Sequence, residues 1–166
     1  MGLTSGMGLD FAAAYDALNA DDHDYRFYAG LADEVGAGRV LDLGCGTGTL
    51  ARLLASRGRT AVGIDPDPEM LRVARGKPGA EQVDWRLGRS DLADDDSADF
   101  AVMAGHVAQV FRTGEEESTR DVLAFRDAAE LVRSVEEAGF AVERRYGFWD
   151  RSPLTDGSRE IVLVVR

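Results

Sequence analysis

The sequence predicts an α/β fold: a mostly parallel sheet with helices on both faces, closed by an antiparallel strand pair near the C-terminus. Three observations predict it. Short apolar runs alternate along the chain with longer stretches of helical spacing. The first few of these runs are almost continuously apolar, as expected of strands covered on both faces. The last two β-rich runs are instead separated by a turn-rich loop with no helix between them, which suits an antiparallel pair. With 166 residues, 45% of them hydrophobic and 30% charged, one core and a single domain spanning 1–166 are expected.

Each element has its own signal. Residues 11–19 are rich in helix formers, and residues 23–35 carry Tyr25, Tyr28 and Leu31 at helical spacing until Gly36 and Gly38 stop the run. Residues 39–43 read as a buried strand, residues 47–57 as a helix with Leu50, Leu53 and Leu54 on one face, and residues 60–64 as a second strand. Asp67 is placed to cap the next helix, with Pro68 at its first position and Met70, Leu71 and Ala74 as its inner face. Residues 83–87 and 99–103 read as two further strands. Asp127 and Glu130 form a capping box for a helix reaching Ala138, with Leu131, Val132 and Val135 buried and Gly139 ending it. Residues 140–148 and 160–165 supply the antiparallel pair, around a loop marked by Pro153, Asp156 and Gly157.

Composition narrows the function classes. A net charge of -11 opposes a sequence-independent hold on phosphate backbones, so no nucleic-acid partner is expected. The acidic clusters Asp21-Asp22, Asp94-Asp95-Asp96 and Glu115-Glu116-Glu117 read as solvated turns, and no metal-ligand motif is present. Cys45 is the sole cysteine, which excludes an intrachain disulfide and fits a reducing cytosol. No basic residue precedes Arg26 and no long apolar run occurs, so the expectation is a cytoplasmic chain without a membrane partner. Lys77, the only lysine, lies in the turn-like Gly76-Lys77-Pro78-Gly79, a poor place for the desolvated amine of Schiff-base chemistry.

The chemistry concentrates where the first strand meets its helix. Gly44, Gly46 and Gly48 sit at that junction, where glycines let backbone approach a ligand and free helix N–H groups point at its polar parts. The same turn serves nicotinamide and flavin cofactors. Asp42 shifts the balance, because a carboxylate beside the glycines disfavours a pyrophosphate but suits the ammonium and sulfonium of S-adenosylmethionine. Asp65 ends the next strand, about 20 residues on, where a carboxylate accepts ribose hydroxyls in folds of this kind. Asp91 follows the third strand and reads either as an acceptor for the adenine amine or as part of a solvated turn. Asp42, Asp65, Asp91 and Gly105 all fall at the carboxyl ends of strands, the ligand edge of open α/β sheets.

Residues 40–50 with Gly63-Ile64-Asp65-Pro66-Asp67-Pro68-Glu69-Met70-Leu71 resemble the first two motifs of class I S-adenosylmethionine-dependent methyltransferases, and Asp91-Leu92 with residues 98–111 resemble the next two. Phe148-Trp149-Asp150-Arg151-Ser152-Pro153 and residues 160–166 are similar to the C-terminal end of the superfamily's small-molecule enzymes. The resemblance implies a Rossmann-like sheet and S-adenosylmethionine as cofactor. It also implies roles: Gly44, Cys45, Gly46 and Gly48 for the methionine part, Asp65 for the ribose, Met70 beside the nucleoside, and Asp91 and Leu92 for the adenine. Tyr15, Asp42, Pro66 and Ala104 complete the cofactor-binding residues so implied.

Residues 107–126 are too few for the usual fifth parallel strand and its helices, so a normal fifth-strand region and the segment that often covers the acceptor are expected to be missing. A homodimer, with an exchanged segment containing Val122 to Phe125, would cover the gap. His106, just after the fourth strand, reads as a general base for the acceptor or as a pocket histidine, and Tyr146, Phe148 and Trp149 read as acceptor-pocket lining or as core. The leading expectation is methyl transfer to a small-molecule acceptor. The rivals are a non-catalytic binder of the cofactor and a nicotinamide-dependent oxidoreductase, the latter opposed by Asp42.

Overall fold

The computed structural model describes residues 11–19, 21–104 and 126–166. The chain divides into two compact units, residues 1–105 and 106–166. In the first, helices α1 (Phe11–Leu18) and α2 (His23–Glu34) precede β1 (Arg39–Leu43), α3 (Thr49–Ser56), β2 (Thr60–Asp65), α4 (Pro68–Arg75), β3 (Val83–Leu87) and β4 (Phe100–Val102). The four strands form one sheet in the order β3-β2-β1-β4, all parallel.

Register stacks the side chains in rows across one face. Phe100, Val40, Ala61 and Val83 form one row, and Val102, Asp42, Gly63 and Trp85 the next. Ala29 and Ala32 of α2 and Leu50, Ala51, Leu54 and Ala55 of α3 pack onto these rows to make the core. The small residues Ala61 and Gly63 at the sheet centre let those helices approach closely. Gly63 has a second reason to be glycine: a Cβ there would stand 2.7 Å from the Trp85 ring and 3.0 Å from Cys45 Sγ. The Trp85 indole N–H donates to the Ala80 carbonyl at 2.9 Å, which fixes the ring in that position.

The lower edge of the sheet is tied across the chain. Asp99 accepts from the backbone N–H groups of Gly38 and Arg39 at 3.1 and 2.9 Å and pairs with the Arg39 guanidinium at 2.7 Å, locking the entry of β4 to that of β1. Those bonds hold the Asp99 carboxyl down to about 2. Local signals set the helix starts. Asp67 accepts from the Glu69 and Met70 amides at the head of α4, with Pro68 in the first turn, where its missing N–H has no cost.

The second unit contains α5 (Ala128–Glu137) and the antiparallel pair β5 (Val142–Tyr146) and β6 (Val162–Val165). The capping box expected from Asp127 and Glu130 is present, and Gly139 follows the helix at φ 91°, the left-handed conformation that ends helices. The expected burial of Leu131, Val132 and Val135 is corrected to partial burial. A two-stranded sheet is too narrow to cover a helix face. Strand 99–103 shortens to three residues, and the helix expected from 47 begins at Thr49 because Gly46 and Gly48 take positive φ. Val122 to Phe125, Gly105 and His106 lie outside the described residues. No described helix is long and apolar enough to cross a membrane.

Two glycines with opposite surroundings test this packing. Gly63→Ala should destabilise the protein by roughly 1–3 kcal/mol through overpacking against Trp85. Gly30→Ala in α2, where a Cβ meets nothing of the described residues within 4 Å, should be neutral or stabilising by about 0.5–1 kcal/mol. Urea unfolding of both variants measures the contrast.

Candidate functional site

The site lies at the carboxyl edge of the parallel strands, where chain leaves each strand for a helix or turn. Between β1 and α3 the backbone turns through Gly44, Gly46 and Gly48 at φ 72°, 55° and 75°. Side chains rarely adopt such angles, so the turn requires glycine. Two bonds from the Gly44 and Cys45 amides to the Ile64 carbonyl, at 2.8 and 3.1 Å, continue the sheet pairing into the loop. A Cβ on Gly48 would run into the Trp85 ring, so Trp85 is the floor of the loop. At Gly46, by contrast, no atom of the described residues lies within 4 Å of where a Cβ would be. Among the described residues the loop is thus packed at Gly48 and open at Gly46, the form of a cradle.

Two carboxylates are buried beside this cradle. Asp65 is 7% exposed and uses both oxygens, accepting from the Gly46 amide at 2.7 Å and the Asp67 amide at 2.8 Å. It thus joins the loop after β1 to the turn after β2. Burial pushes its carboxyl up, against the pull of those two amides. Asp42 is 3% exposed, in a strand that leads into α3, whose N-cap, Gly48, has no side chain to cap it. Burial pushes Asp42 up to about 7, with the charges of Asp65 and Asp24 adding to the effect. The Cys45 thiol is likewise raised by burial and then by Asp42 and Asp65, so it stays protonated and unreactive.

Helices α1 and α2 complete the surroundings. Tyr15 and Tyr25 are half-buried, and burial raises both phenols. Asp24, Asp65 and Asp16 raise Tyr15 further, while Asp24, Tyr15, Asp16 and Asp42 help carry Tyr25 to about 12. Four carboxylates and two phenols thus share one acidic region. Among the described residues no group of three or more His, Cys, Asp or Glu is placed to hold a metal. Acids gathered beside a glycine loop suit a cationic organic ligand better than an anionic one.

The residues expected from sequence fall along this edge. Asp42, Gly44, Cys45, Gly46, Gly48 and Asp65 form the cradle, with Tyr15 on α1 and half-buried Met70 on α4. Pro66 is exposed beside Asp65, Asp91 and Leu92 are exposed on the 3-10 turn after β3, and Ala104 is half-buried after β4. Tyr146, Phe148 and Trp149 lie in the second unit, where the Phe148 and Trp149 rings meet at 4.8 Å, tilted by 45°. Sequence reasoning missed Asp16, Asp24 and Trp85 and took Tyr25 for helix packing alone. Trp85 was legible as an aromatic residue in a strand run that pairs with a glycine on the neighbouring strand, whereas no local pattern pointed to Asp16 or Asp24.

Residues 40–134 match a family model described as a methyltransferase domain. The demethylmenaquinone methyltransferase of Tropheryma whipplei is 33% identical over 99 residues, covering 55% of this chain and 41% of that protein. The ubiquinone biosynthesis O-methyltransferase of Xylella fastidiosa is 42% identical over 69 residues, 40% of this chain and 28% of that protein. The chain thus matches less than half the length of these relatives. Among solved structures, a TehB-like SAM-dependent methyltransferase from Corynebacterium glutamicum superposes with a TM-score of 0.72 at 22% identity, over 94% of this chain and 95% of that one. The CcbJ methyltransferase of Streptomyces caelestis gives 0.70 at 20% identity, over 88% and 96%. At these identities the superpositions show the shared fold.

The raised Asp42 carboxyl makes ligand-free stability pH-dependent. Its folded value near 7 exceeds the usual carboxylate range, so the folded state holds the proton longer and stability falls as pH rises from about 4 to about 7. Asp42→Asn keeps the shape of the side chain but cannot titrate. Chemical denaturation of the unliganded proteins from pH 5 to 8 should show the wild type losing roughly 2–4 kcal/mol relative to the variant. Parallel curves would place Asp42 in the ordinary range.

Proposed function

The chain belongs to the methyltransferase-domain family, and from that membership we propose that it transfers a methyl group from S-adenosylmethionine to a small-molecule acceptor. The observation that supports the reading is the acidic cradle: Asp42 and Asp65 are buried beside a glycine loop that is open at Gly46 among the described residues. When bound, S-adenosylmethionine supplies a methyl group on a positively charged sulfur. A pyrophosphate would meet the same carboxylates with repulsion, which sets the nicotinamide reading aside.

In this proposal each residue has a task. Asp65 accepts the ribose hydroxyls on lone pairs left over from its two amide contacts, and the same contacts hold Gly46 in its open conformation. Asp42 keeps negative charge near the methionine end once the cation is present, because an opposite charge favours its ionised form. Met70 flanks the nucleoside, Pro66 borders the ribose, and Asp91, Leu92 and Ala104 border the adenine. Methyl transfer is a direct displacement, so these groups contribute mainly alignment and the exclusion of water. His106, four residues beyond β4, is the candidate base where the acceptor must lose a proton. The shortness of residues 107–126 supports a homodimer that covers the acceptor side, with all of residues 1–166 acting as one domain.

Calorimetric titration tests the cofactor assignment. Asp65→Asn should weaken both S-adenosylmethionine and its demethylated product by about 1.5–3 kcal/mol. An adenosyl ligand lacking the ribose hydroxyls should bind both proteins alike. Unchanged affinity in the folded variant removes the ribose role. His106→Gln should lower turnover while leaving cofactor affinity within about twofold, and equal turnover across neutral pH would leave His106 as pocket structure. A wild type that binds the cofactor but methylates none of a panel of hydroxyl- and amine-bearing acceptors supports the non-catalytic binder. Light scattering over a dilution series checks the dimer, which a stable monomer of full cofactor affinity would refute.

A further inference from the structure

Lys77 has no part in the chemistry above, yet it is the only lysine in the chain. The structure places it at a junction. Its ammonium pairs with one oxygen of Asp16, and the Thr47 hydroxyl donates to the other. Asp16 belongs to α1, Thr47 to the glycine loop and Lys77 to the turn that follows α4, where its amide donates to the Ala74 carbonyl at 3.2 Å. Thr47 is 2% exposed and the Lys77 side chain 17%, so both donors are largely withdrawn from water. Burial works to raise the Asp16 carboxyl, but the hydrogen bonds from Lys77 and Thr47 prevail and hold it below its usual value.

This grip matters because α1 has only eight residues. An isolated helix of that length does not persist in water, so its position depends on ties of this kind. The next residue back is Tyr15, whose phenol feels the charge of Asp65. Holding Asp16 therefore holds Tyr15 near the ribose acid and α1 against the glycine loop. We propose that Lys77 is a positioning residue for cofactor exchange: by gripping Asp16 alongside Thr47 it keeps α1 closed against the cradle, and the cofactor leaves when that grip opens. The inference rests on the S-adenosylmethionine reading above.

The test compares wild type with Lys77→Met, Lys77→Arg, Asp16→Asn and the Lys77→Met/Asp16→Asn double variant, each checked for folding by circular dichroism. Dissociation of S-adenosylhomocysteine, followed by stopped flow, should be roughly three- to tenfold faster in Lys77→Met and in Asp16→Asn, the range for a charge-assisted contact that is partly exposed. Lys77→Arg should stay near wild type, and the double variant should be no faster than Asp16→Asn alone, since both changes open one grip. In turnover, KM for the cofactor should rise while KM for the acceptor stays put. A wild-type dissociation rate in folded Lys77→Met, or additive effects in the double variant, overturns the proposal.

A second measurement separates this inference from the functional reading. Because the chain has one lysine, an amine-reactive reagent followed by peptide mass spectrometry reports Lys77 alone, apart from the terminal amine. Asp16→Asn should speed that labelling, and bound S-adenosylhomocysteine should slow it in the wild type. If the wild type binds neither S-adenosylmethionine nor its product, the functional reading fails and takes cofactor exchange with it. Equal labelling of wild type and Asp16→Asn shows that no grip exists.

Discussion

The carboxylate of Asp65 is the point on which the ligand edge of this protein depends. Glycines at 44, 46 and 48 make the loop after β1 able to turn sharply, but the same freedom leaves it without a preferred shape. Asp65 supplies the preference by accepting from the Gly46 amide while its other oxygen accepts from Asp67. Asp67 in turn starts α4. One side chain thus sets the conformation of the loop after β1 and the entry of the helix after β2. At the opposite edge Asp99 does similar work for the entries of β1 and β4, so the sheet is clamped by a carboxylate at each end.

The two clamps differ in environment, and the difference bears on function. Asp99 is paired with Arg39 in reach of solvent, and its charge is stabilised. Asp42 and Asp65 are both buried, Asp42 feels the charges of Asp65 and Asp24, and ionisation of both is opposed by their surroundings. Such clustering costs stability that an apolar or paired arrangement would keep. A cationic ligand relieves it, because an opposite charge beside these acids favours their ionised form. Asp65 thus serves the fold through its two amide contacts, while the uncompensated charge it shares with Asp42 suits a cationic ligand.

Much of this was legible in the sequence, for physical reasons that are mostly local. Asp67-Pro68 and Asp127 with Glu130 act over one helical turn, and both caps form as read. The strand runs around Val40, Ala61 and Val83 are apolar because they are covered, so their places in the sheet could be read directly. Asp42, the glycines and Asp65 could be placed at one edge because parallel strands share a direction. What could not be read depended on pairing across long distances. Nothing near Asp16 in sequence announces Thr47 or Lys77, and Lys77 looked like an ordinary turn residue between two glycines. Leu131, Val132 and Val135 had the spacing of a buried face, but burial depends on what packs above them, which periodicity does not encode.

Trp85 has a consequence of a different kind. Its ring lies under the glycine loop, against Gly48 and Gly63, with its N–H committed to Ala80. The chain contains only two tryptophans, and the other, Trp149, belongs to the second unit. An indole in van der Waals contact with the loop backbone responds to small changes in local polarity and quenching, so the fold carries its own optical probe beneath the cleft. Replacing Trp149 by phenylalanine would leave a single emitter there, and the motions of the loop could be followed in solution without attaching a dye.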